Sequence, residues 1–129
     1  MRKINQYAVG RLIITSIGLL LSGTLLLGCT QIIGGPVDQA KLVDGFYEGS
    51  YRGGPNKASV RVEIKDNRIL NFEIVKLRSW GWKDEKLRLL ILERIIATQS
   101  TRVDAVSGAT NSSHVIMNAV QKAIERVYQ

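Results

Sequence analysis

The stretch Val60-Arg61-Val62-Glu63-Ile64-Lys65-Asp66-Asn67 decides the fold. Its aliphatic residues alternate with charged ones, and this period of two is typical of a strand that buries one face and exposes the other. Asp66-Asn67 is a turn signal, after which Leu70, Phe72 and Ile74 resume the alternation. Two alternating runs joined by a tight turn predict an antiparallel β-hairpin.

The segments on either side extend this hairpin into a larger unit. Upstream, residues 44–52 contain aromatic residues that favour strands, and Gly53-Gly54-Pro55 ends the run. Downstream of Lys83 the apolar residues recur at helical spacing, and a second amphipathic pattern begins near Ile116 and reaches Val127. The sequence therefore predicts an α+β fold, a small antiparallel sheet of about three strands with two helices packed on one face. The apolar positions of the first helical pattern are Leu87, Leu89, Leu90, Ile91, Leu92, Ile95 and Ile96.

The segment Asp104-Ala105-Val106-Ser107-Gly108-Ala109-Thr110 lies between the two predicted helices. Gly108 can adopt a positive φ at no steric cost, which lets the chain turn sharply into the second helix. Such a turn directs N–H groups outward at a helix N-terminus, where the peptide dipoles favour a phosphate. Thr110 falls at or beside the N-cap, and Ser112 or Ser113 could cap the helix in the same way. An ordinary capped helix after a tight turn explains these residues without a ligand.

The run from Asp104 to Thr110 resembles, at every defined position, the flavinylation motif of the FMN-binding domain family. That family includes the C subunit of the sodium-translocating NADH:quinone reductase and the G subunit of the Rnf complex. The resemblance extends from Asp44-Gly45-Phe46-Tyr47 through Gly53-Gly54-Pro55 to Ala119. It implies that FMN is the cofactor and that its phosphate is joined to the Thr110 hydroxyl by a phosphoester bond. A separate flavin transferase makes this bond from FAD, outside the cytoplasm, in such domains.

The same resemblance implies roles for the other residues of the motif. Ser107, Gly108 and Ala109 form the turn beneath the phosphate. Asp104 opens the motif, and it either orients the hydroxyl or is recognised by the transferase; the alternative is a loop carboxylate that caps local N–H groups. Because a threonine hydroxyl is a weak nucleophile, its attack on FAD needs a base and a metal-loaded transferase.

The chain departs from the family pattern between the third strand and the first helix. Where relatives often have a Glu-Thr-Pro-Gly-like segment over the isoalloxazine ring, this chain has Arg78-Ser79-Trp80-Gly81-Trp82-Lys83. Trp80 or Trp82 is the candidate to stack on the flavin, and the alternative is that they cover the core. Gly53 and Gly54 either approach the ring closely or only form a turn.

The N-terminal residues have the pattern of a bacterial export signal. Three basic residues precede an apolar run at residues 12–27, and Leu26-Leu27-Gly28-Cys29 resembles a lipobox, in which the cysteine is diacylated. We therefore predict a lipoprotein signal peptide at 1–28, a lipidated tether at 29–43, flexible around Gly34-Gly35-Pro36, and the FMN-binding domain at 44–129. The alternative is an uncleaved membrane helix, with Cys29 an incidental thiol. Both interpretations anchor the domain to the bacterial cell membrane on its extracytoplasmic side.

Charge and composition narrow the classes of function. The formal net charge of +7 falls to +4 without residues 1–28, since 15 basic residues remain against 11 acidic ones. These basic residues are scattered, so no nucleic-acid partner is expected. Cys29 is the single cysteine, which excludes a disulfide framework within one chain. His114 is the single histidine, and a solvated position in the last helix is the expectation for it.

The hypothesis that follows is an exported, membrane-tethered flavoprotein that transfers electrons between a membrane donor and an extracytoplasmic acceptor. It is expected to be an electron carrier more than a stand-alone enzyme, because the sequence shows no nucleophile–base pair and no second cofactor motif. Its expected partners are the membrane, the flavin transferase, and a redox protein or quinone-linked reductase. The rival hypothesis is a lipoprotein of the same fold without flavin, binding a phosphorylated ligand or a partner protein.

Overall fold

The central element is one antiparallel sheet whose strands are β1 (Gly45–Gly53), β2 (Asn56–Lys65) and β3 (Arg68–Arg78), in that spatial order. Two helices follow, α1 (Asp84–Thr98) and α2 (Thr110–Val127). The computed structural model describes residues 31–78 and 84–129. Three strands and two helices in this order confirm the predicted α+β fold. The predictions made for the signal peptide, Cys29, Trp80 and Trp82 lie outside the described residues.

Both connections within the sheet are two-residue turns that need unusual backbone angles. Asp66 and Asn67 have φ values of 52° and 61°, the pair of positive angles that a type I′ hairpin turn requires. Gly54 has a φ of 60° and is followed by Pro55, whose ring fixes a negative φ. Glycine at this first turn position fits a type II′ turn. The turn signals in the sequence are thus explained by backbone geometry.

The strand β2 shows the predicted alternation, whereas β3 departs from it. In β2 the buried side chains are Ala58, Val60, Val62 and Ile64. In β3 the sequence predicts Leu70 on the inner face, and this prediction is wrong, because Leu70 is 49% exposed.

A β-bulge is the physical reason for this error. Ile64 pairs with Ile69 while Glu63 pairs with Asn71, so Leu70 is an extra residue without a partner on β2. The bulge changes which residues of the strand face the core. Ile69 therefore faces inward and is only 1% exposed. A second bulge places Val75 outward in the same way.

The two helices contribute to the same core as the inner face of the sheet. The last helix, α2, packs against β1 and β2, and α1 packs against β3. Gly49 of β1 allows the closest approach, because a Cβ there would lie closer than 3.0 Å to the backbone of Ala119 and Ala123. Leu89 of α1 is 50% exposed, so the apolar stripe of that helix is narrower than the sequence predicts. The helical side chains that are fully buried in the core include Leu87, Ile91, Ile95, Ile116, Val120 and Ile124.

Side chains from α1 and from Gln99, which follows it, form hydrogen bonds with backbone groups at the outer edge of β3. Gln99 pairs with Ile69 as another strand would, accepting from its N–H at 2.8 Å and donating to its carbonyl at 3.1 Å. Arg88 donates to the carbonyl of Phe72 at 3.0 Å and also binds Glu85, with its Nη2 2.5 Å from the carboxylate. That hydrogen bond lowers the pKa of Glu85 and raises the pKa of Arg88. Backbone groups that would otherwise be open to another strand are therefore occupied.

Residues 31–37, hereafter the strap, lie against α2 and the segment after α1. The side-chain amide of Asn118 donates to the carbonyl of Gln31 at 2.8 Å and accepts from the N–H of Ile33 at 3.0 Å. The Thr101 hydroxyl accepts from the N–H of Gly35 at 3.1 Å. The composition predicts a flexible spacer here, and the structure differs because buried polar side chains bind the strap backbone.

Neither α1 nor α2 combines the length and the apolar character that a transmembrane helix needs. This finding concerns residues 31–78 and 84–129 only.

Candidate functional site

The motif before α2 folds into a type II turn. The N–H of Ala109 donates to the carbonyl of Val106 at 2.9 Å, which makes Ser107 and Gly108 the two central residues. Gly108 has a φ of 80°, the positive angle that a type II turn demands at its second central position. The positive φ predicted for Gly108 is thus confirmed.

Ser113 holds this turn from the side of the core. Its hydroxyl accepts from the N–H of Val106 at 3.0 Å and donates to the carbonyl of Ala109 at 2.7 Å. The side chain is fully buried, so water does not compete for either bond. Both ends of the turn are therefore fixed to one residue in the first turn of α2. The sequence suggested Ser113 only as an alternative cap, because nothing in its spacing reveals a bond back to Val106.

Thr110 is the first residue of α2, directly after the N-cap. The N-cap is Ala109, which has no side chain that could accept a hydrogen bond from the helix. Thr110 is exposed, so its hydroxyl is accessible at the start of a helix of 18 residues. The N-cap makes no side-chain hydrogen bond to the helix, and the N-terminus of the helix is the positive end of its dipole. The expectation that Thr110 lies beside the N-cap is confirmed.

The direction of α2 along the sheet shows which end of the fold carries this turn. The middle of α2 crosses β1 at Gly49, and Arg126 near its C-terminal end shares a groove with Phe46 and Glu48. The two elements therefore run in opposite directions, and the first turn of α2 lies toward the Gly53 end of β1. The β1–β2 turn and the end of β3 are at this same end, since Lys57 pairs with Arg78.

Of the two glycines singled out in the sequence, Gly54 is explained by the turn itself. Its φ is positive, and a Cβ added there would meet no atom within 4 Å. Gly53 pairs with Asn56 at the end of the hairpin. The described residues thus put both glycines at the motif's end of the sheet, without showing a contact between them and the motif.

A cleft of about 730 Å³ opens beside the motif, between the C-terminal half of α1 and the start of α2. Arg94 reaches across from α1 and donates to the carbonyl of Asp104 at 2.6 Å. The carboxylate of Asp104 accepts no hydrogen bond from a described residue, so the structure gives no support to its alternative role as a local cap. The residues that line the cleft are Ile32, Arg94, Ala97, Thr98, Arg102, Val103, Asp104, Ala105 and His114.

His114, for which the sequence predicts a solvated position, lines this cleft at the start of α2. The residue is half-buried and one helical turn after Thr110.

Arg94 and Arg102 are the other residues that sequence reasoning missed. Their spacing gives no signal, because the contact between α1 and the segment before α2 is set by the tertiary fold. Within the described ranges, no group of His, Cys, Asp and Glu side chains could hold a metal ion.

Comparison with protein families identifies this arrangement. The family model described as FMN-binding domain matches residues 53–125, which contain β2, β3, α1, the type II turn and Thr110. The chain belongs to the FMN-binding domain family. Its cofactor is accordingly FMN, and the chain is a flavin-binding protein.

A relative matches a large part of this chain. An uncharacterized protein of Treponema pallidum (strain Nichols) is 34% identical to this FMN-binding domain chain over 93 residues. The alignment covers 67% of this chain and 24% of the relative, so the chain spans about a quarter of the length of that protein.

The residues of the FMN-binding domain fit the phosphate of the cofactor. Thr110 presents a hydroxyl and an uncapped helix start in one place, and Arg94 and Arg102 add positive charge in the adjoining cleft. The cleft is also within the range of about 300–1,000 Å³ that is usual for small-molecule sites.

Proposed function

We propose that this domain carries FMN covalently and transfers electrons between a membrane donor and an extracytoplasmic acceptor. The observation that carries the proposal is the exposed Thr110 hydroxyl at the uncapped start of α2, immediately after the Gly108 turn. A helix that needed only a cap would gain more from a polar side chain at Ala109, where this chain has none. The accessible hydroxyl is instead placed one residue later, where it can be modified.

The attachment would be a phosphoryl-group transfer from FAD, catalysed by a flavin transferase. The Thr110 oxygen forms a bond to the phosphorus of the riboflavin phosphate, the pyrophosphate bond breaks, and AMP leaves. The hydroxyl proton passes to a base of the transferase. No oxidant or reductant is consumed. The contribution of this chain is positional, since the buried Ser113 fixes the turn and the helix N-terminus favours the phosphate negative charge.

Bound FMN supplies one- and two-electron redox chemistry, and the protein supplies tethering, orientation and electrostatics. Arg94 and Arg102 place positive charge in the cleft that adjoins the motif. Positive charge near a flavin stabilises its anionic reduced forms, so these side chains would tune its potential. A redox protein or a quinone-linked reductase is the proposed electron partner.

We further propose that Cys29 is diacylated after removal of residues 1–28 and anchors the domain to the outer side of the cell membrane. The support is the basic, apolar and lipobox-like order of the N-terminal sequence. A covalent link suits such a location, because FMN that dissociated outside the cytoplasm would be lost.

Intact-mass measurement tests the covalent link. The full chain is expressed with and without a flavin transferase, and we expect an increment of one FMN minus one water, localised to Thr110. Thr110→Val should abolish the increment. Thr98→Val is the matched control, because Thr98 is also exposed and, among the described residues, its hydroxyl binds the Arg94 carbonyl alone, at 2.9 Å. An unmodified chain, under conditions that flavinylate a known acceptor, would reject the covalent carrier and favour a binding module of the same fold.

A further inference from the structure

We propose that the strap holds the cleft side of this domain against the anionic surface of the membrane. The inference rests on the proposed lipid anchor at Cys29, and it adds a fixed orientation and a contacting surface. The contacting surface is the cleft between α1 and α2, with its two arginines.

The strap joins the fold beside the cleft. Ile32 lines the cleft, and both of its neighbours are bound to Asn118, through the carbonyl of Gln31 and the N–H of Ile33. Asn118 is fully buried, so these two bonds hold the strap to the rigid interior of α2. The chain thus meets the domain at a fixed point on the cleft wall.

The reach between this point and the anchor is short. Three peptide units separate Cys29 from Ile32, and a fully extended chain spans at most about 11 Å over that length. The glycine-rich segment that could add slack lies on the far side of the Asn118 contact. There the N–H of Gly35 is bound to Thr101, and a Cβ at Gly34 would overlap the Thr101 hydroxyl. The cleft is therefore the part of the described domain nearest to the membrane.

The charge of the cleft matches an anionic lipid surface. Arg94 and Arg102 form no salt bridge with a described residue, and the guanidinium of Arg94 binds a neutral carbonyl. Asp104 is the one acidic side chain that lines the cleft, and Ile32, Val103 and Ala105 are apolar. Basic side chains interspersed with apolar ones suit the headgroup region of a bilayer that contains anionic lipids.

The outer face of the sheet lies on the side away from the helices. It also carries basic and exposed apolar side chains, such as Lys76, Phe46 and Val75, so the short reach from Cys29, and not charge alone, selects the cleft.

On the outer face of the sheet, Arg61 is paired with Glu48 at 3.2 Å, and the hydroxyls of Ser50 and Ser59 are 2.8 Å apart. This face would point away from the membrane. Because Thr110 is one helical turn from His114 in the cleft, the FMN site would then lie close to the bilayer.

Fluorescence quenching tests this orientation. The full chain carries Thr98→Cys, on the cleft, or Ser50→Cys, on the outer face of the sheet, and each thiol is labelled with a fluorophore. The two variants are matched, since each replaces an exposed hydroxyl that makes one hydrogen bond to a described residue, within α1 for Thr98 and across the sheet for Ser50. Cys29 is the single native cysteine, and its diacylation leaves the introduced thiol as the only free one. The acylated proteins are placed in vesicles of phosphatidylcholine and phosphatidylglycerol that contain a headgroup-nitroxide lipid.

We expect quenching several-fold stronger at residue 98 than at residue 50. Equal quenching, or stronger quenching at residue 50, would overturn the orientation. A Gly-Ser spacer inserted between Thr30 and Gln31 leaves every described contact intact and should reduce the difference, whereas an unchanged difference would refute the role of the strap. In vesicles of phosphatidylcholine alone, quenching at residue 98 should fall, and a constant value would refute the contribution of Arg94 and Arg102.

Separate measurements report the lipid anchor, the cofactor and the orientation of the domain. Intact mass reports the acylation of Cys29 before reconstitution, and Cys29→Ser should no longer co-float with the vesicles. Co-flotation of Cys29→Ser would favour the uncleaved membrane helix. The fluorophores report the orientation whether or not FMN is attached.

Discussion

Single side chains determine how the hydroxyl of Thr110 is presented, and Ser113 is the most important of them. It joins the first and the last residue of the type II turn through one buried hydroxyl. The sequence predicts the positive φ of Gly108 because few other residues adopt it without strain. It cannot separate Ser112 from Ser113, since the choice depends on which side chain faces the folded turn.

We predict that Ser113→Ala destabilises the fold by about 1–3 kcal/mol, because the buried N–H of Val106 and carbonyl of Ala109 lose a partner. The same variant should be flavinylated more slowly, since the turn before Thr110 is no longer fixed. Urea denaturation and intact mass measure the two effects. Asn111→Ala, at an exposed position two residues earlier, should change stability by less than about 0.5 kcal/mol. Wild-type stability in Ser113→Ala would contradict the role assigned to this hydroxyl.

At the scale of elements, the strands and helices were predictable because their apolar residues recur at the spacing of each element. The irregularities within these elements were not predictable. The alternation in β2 predicts its buried face correctly. The bulge at Leu70 is invisible in the sequence of β3, because the pairing of Ile69 with Ile64 and with the Gln99 side chain decides it. Tertiary partners therefore overrode the local pattern.

The contact between β1 and α2 depends on the absence of a side chain at Gly49. We predict that Gly49→Ala costs about 1–3 kcal/mol, because the added Cβ would overlap backbone atoms of Ala119 and Ala123 and force the helix away from the strand. Gly35→Ala is the control, since a Cβ there meets nothing within 4 Å, and it should be neutral or slightly stabilising. Comparison of the two thermal unfolding midpoints measures the difference. Equal midpoints would show that α2 is not held this closely.

The first turn of α1 gives a pH dependence. The hydrogen bond from Arg88 keeps the pKa of Glu85 below its ordinary value of 4.5, so its contribution is present above pH 4.5 and is lost as the pH falls through the lowered value. We predict that the wild type loses more stability than Glu85→Gln on acidification through this range. The difference should be small, because the carboxylate is exposed. Urea midpoints measured across the range test it, with Glu93→Gln, another exposed residue of α1, as the control.

At the scale of the whole molecule, the strap connects the N-terminal residues to the last helix. Its composition predicts flexibility, and that prediction fails because the partners of its backbone lie far along the chain, at Thr101 and Asn118. A motif of seven consecutive residues was sufficient to predict the FMN-binding domain family, because those residues are adjacent in the sequence. The cationic cleft was not predictable, because it is assembled from Ile32, Arg94 and His114 on three separate segments.

We predict that Asn118→Leu frees the start of the strap while the rest of it stays bound. The N–H of Ile33 loses its acceptor, and its hydrogen-exchange protection should fall roughly fivefold, the equivalent of ~1 kcal/mol. The N–H of Val37 donates to the carbonyl of Gln99 at 3.0 Å and is the internal control, because that bond does not involve Asn118. Loss of protection at both amides would show global unfolding, and unchanged protection at Ile33 would contradict the role of Asn118.

The alanine at the N-cap of α2 has a consequence for the life of the protein in the cell. A serine or aspartate at that position would stabilise the helix by about 0.5–2 kcal/mol, and this chain forgoes that contribution. A phosphate attached at Thr110 would restore it, since it places negative charge at the same helix end. Chains without the cofactor would then unfold more often than chains that carry it. Proteases would therefore degrade the unmodified chains preferentially. The missing cap would thus help the cell to keep loaded carriers and discard empty ones.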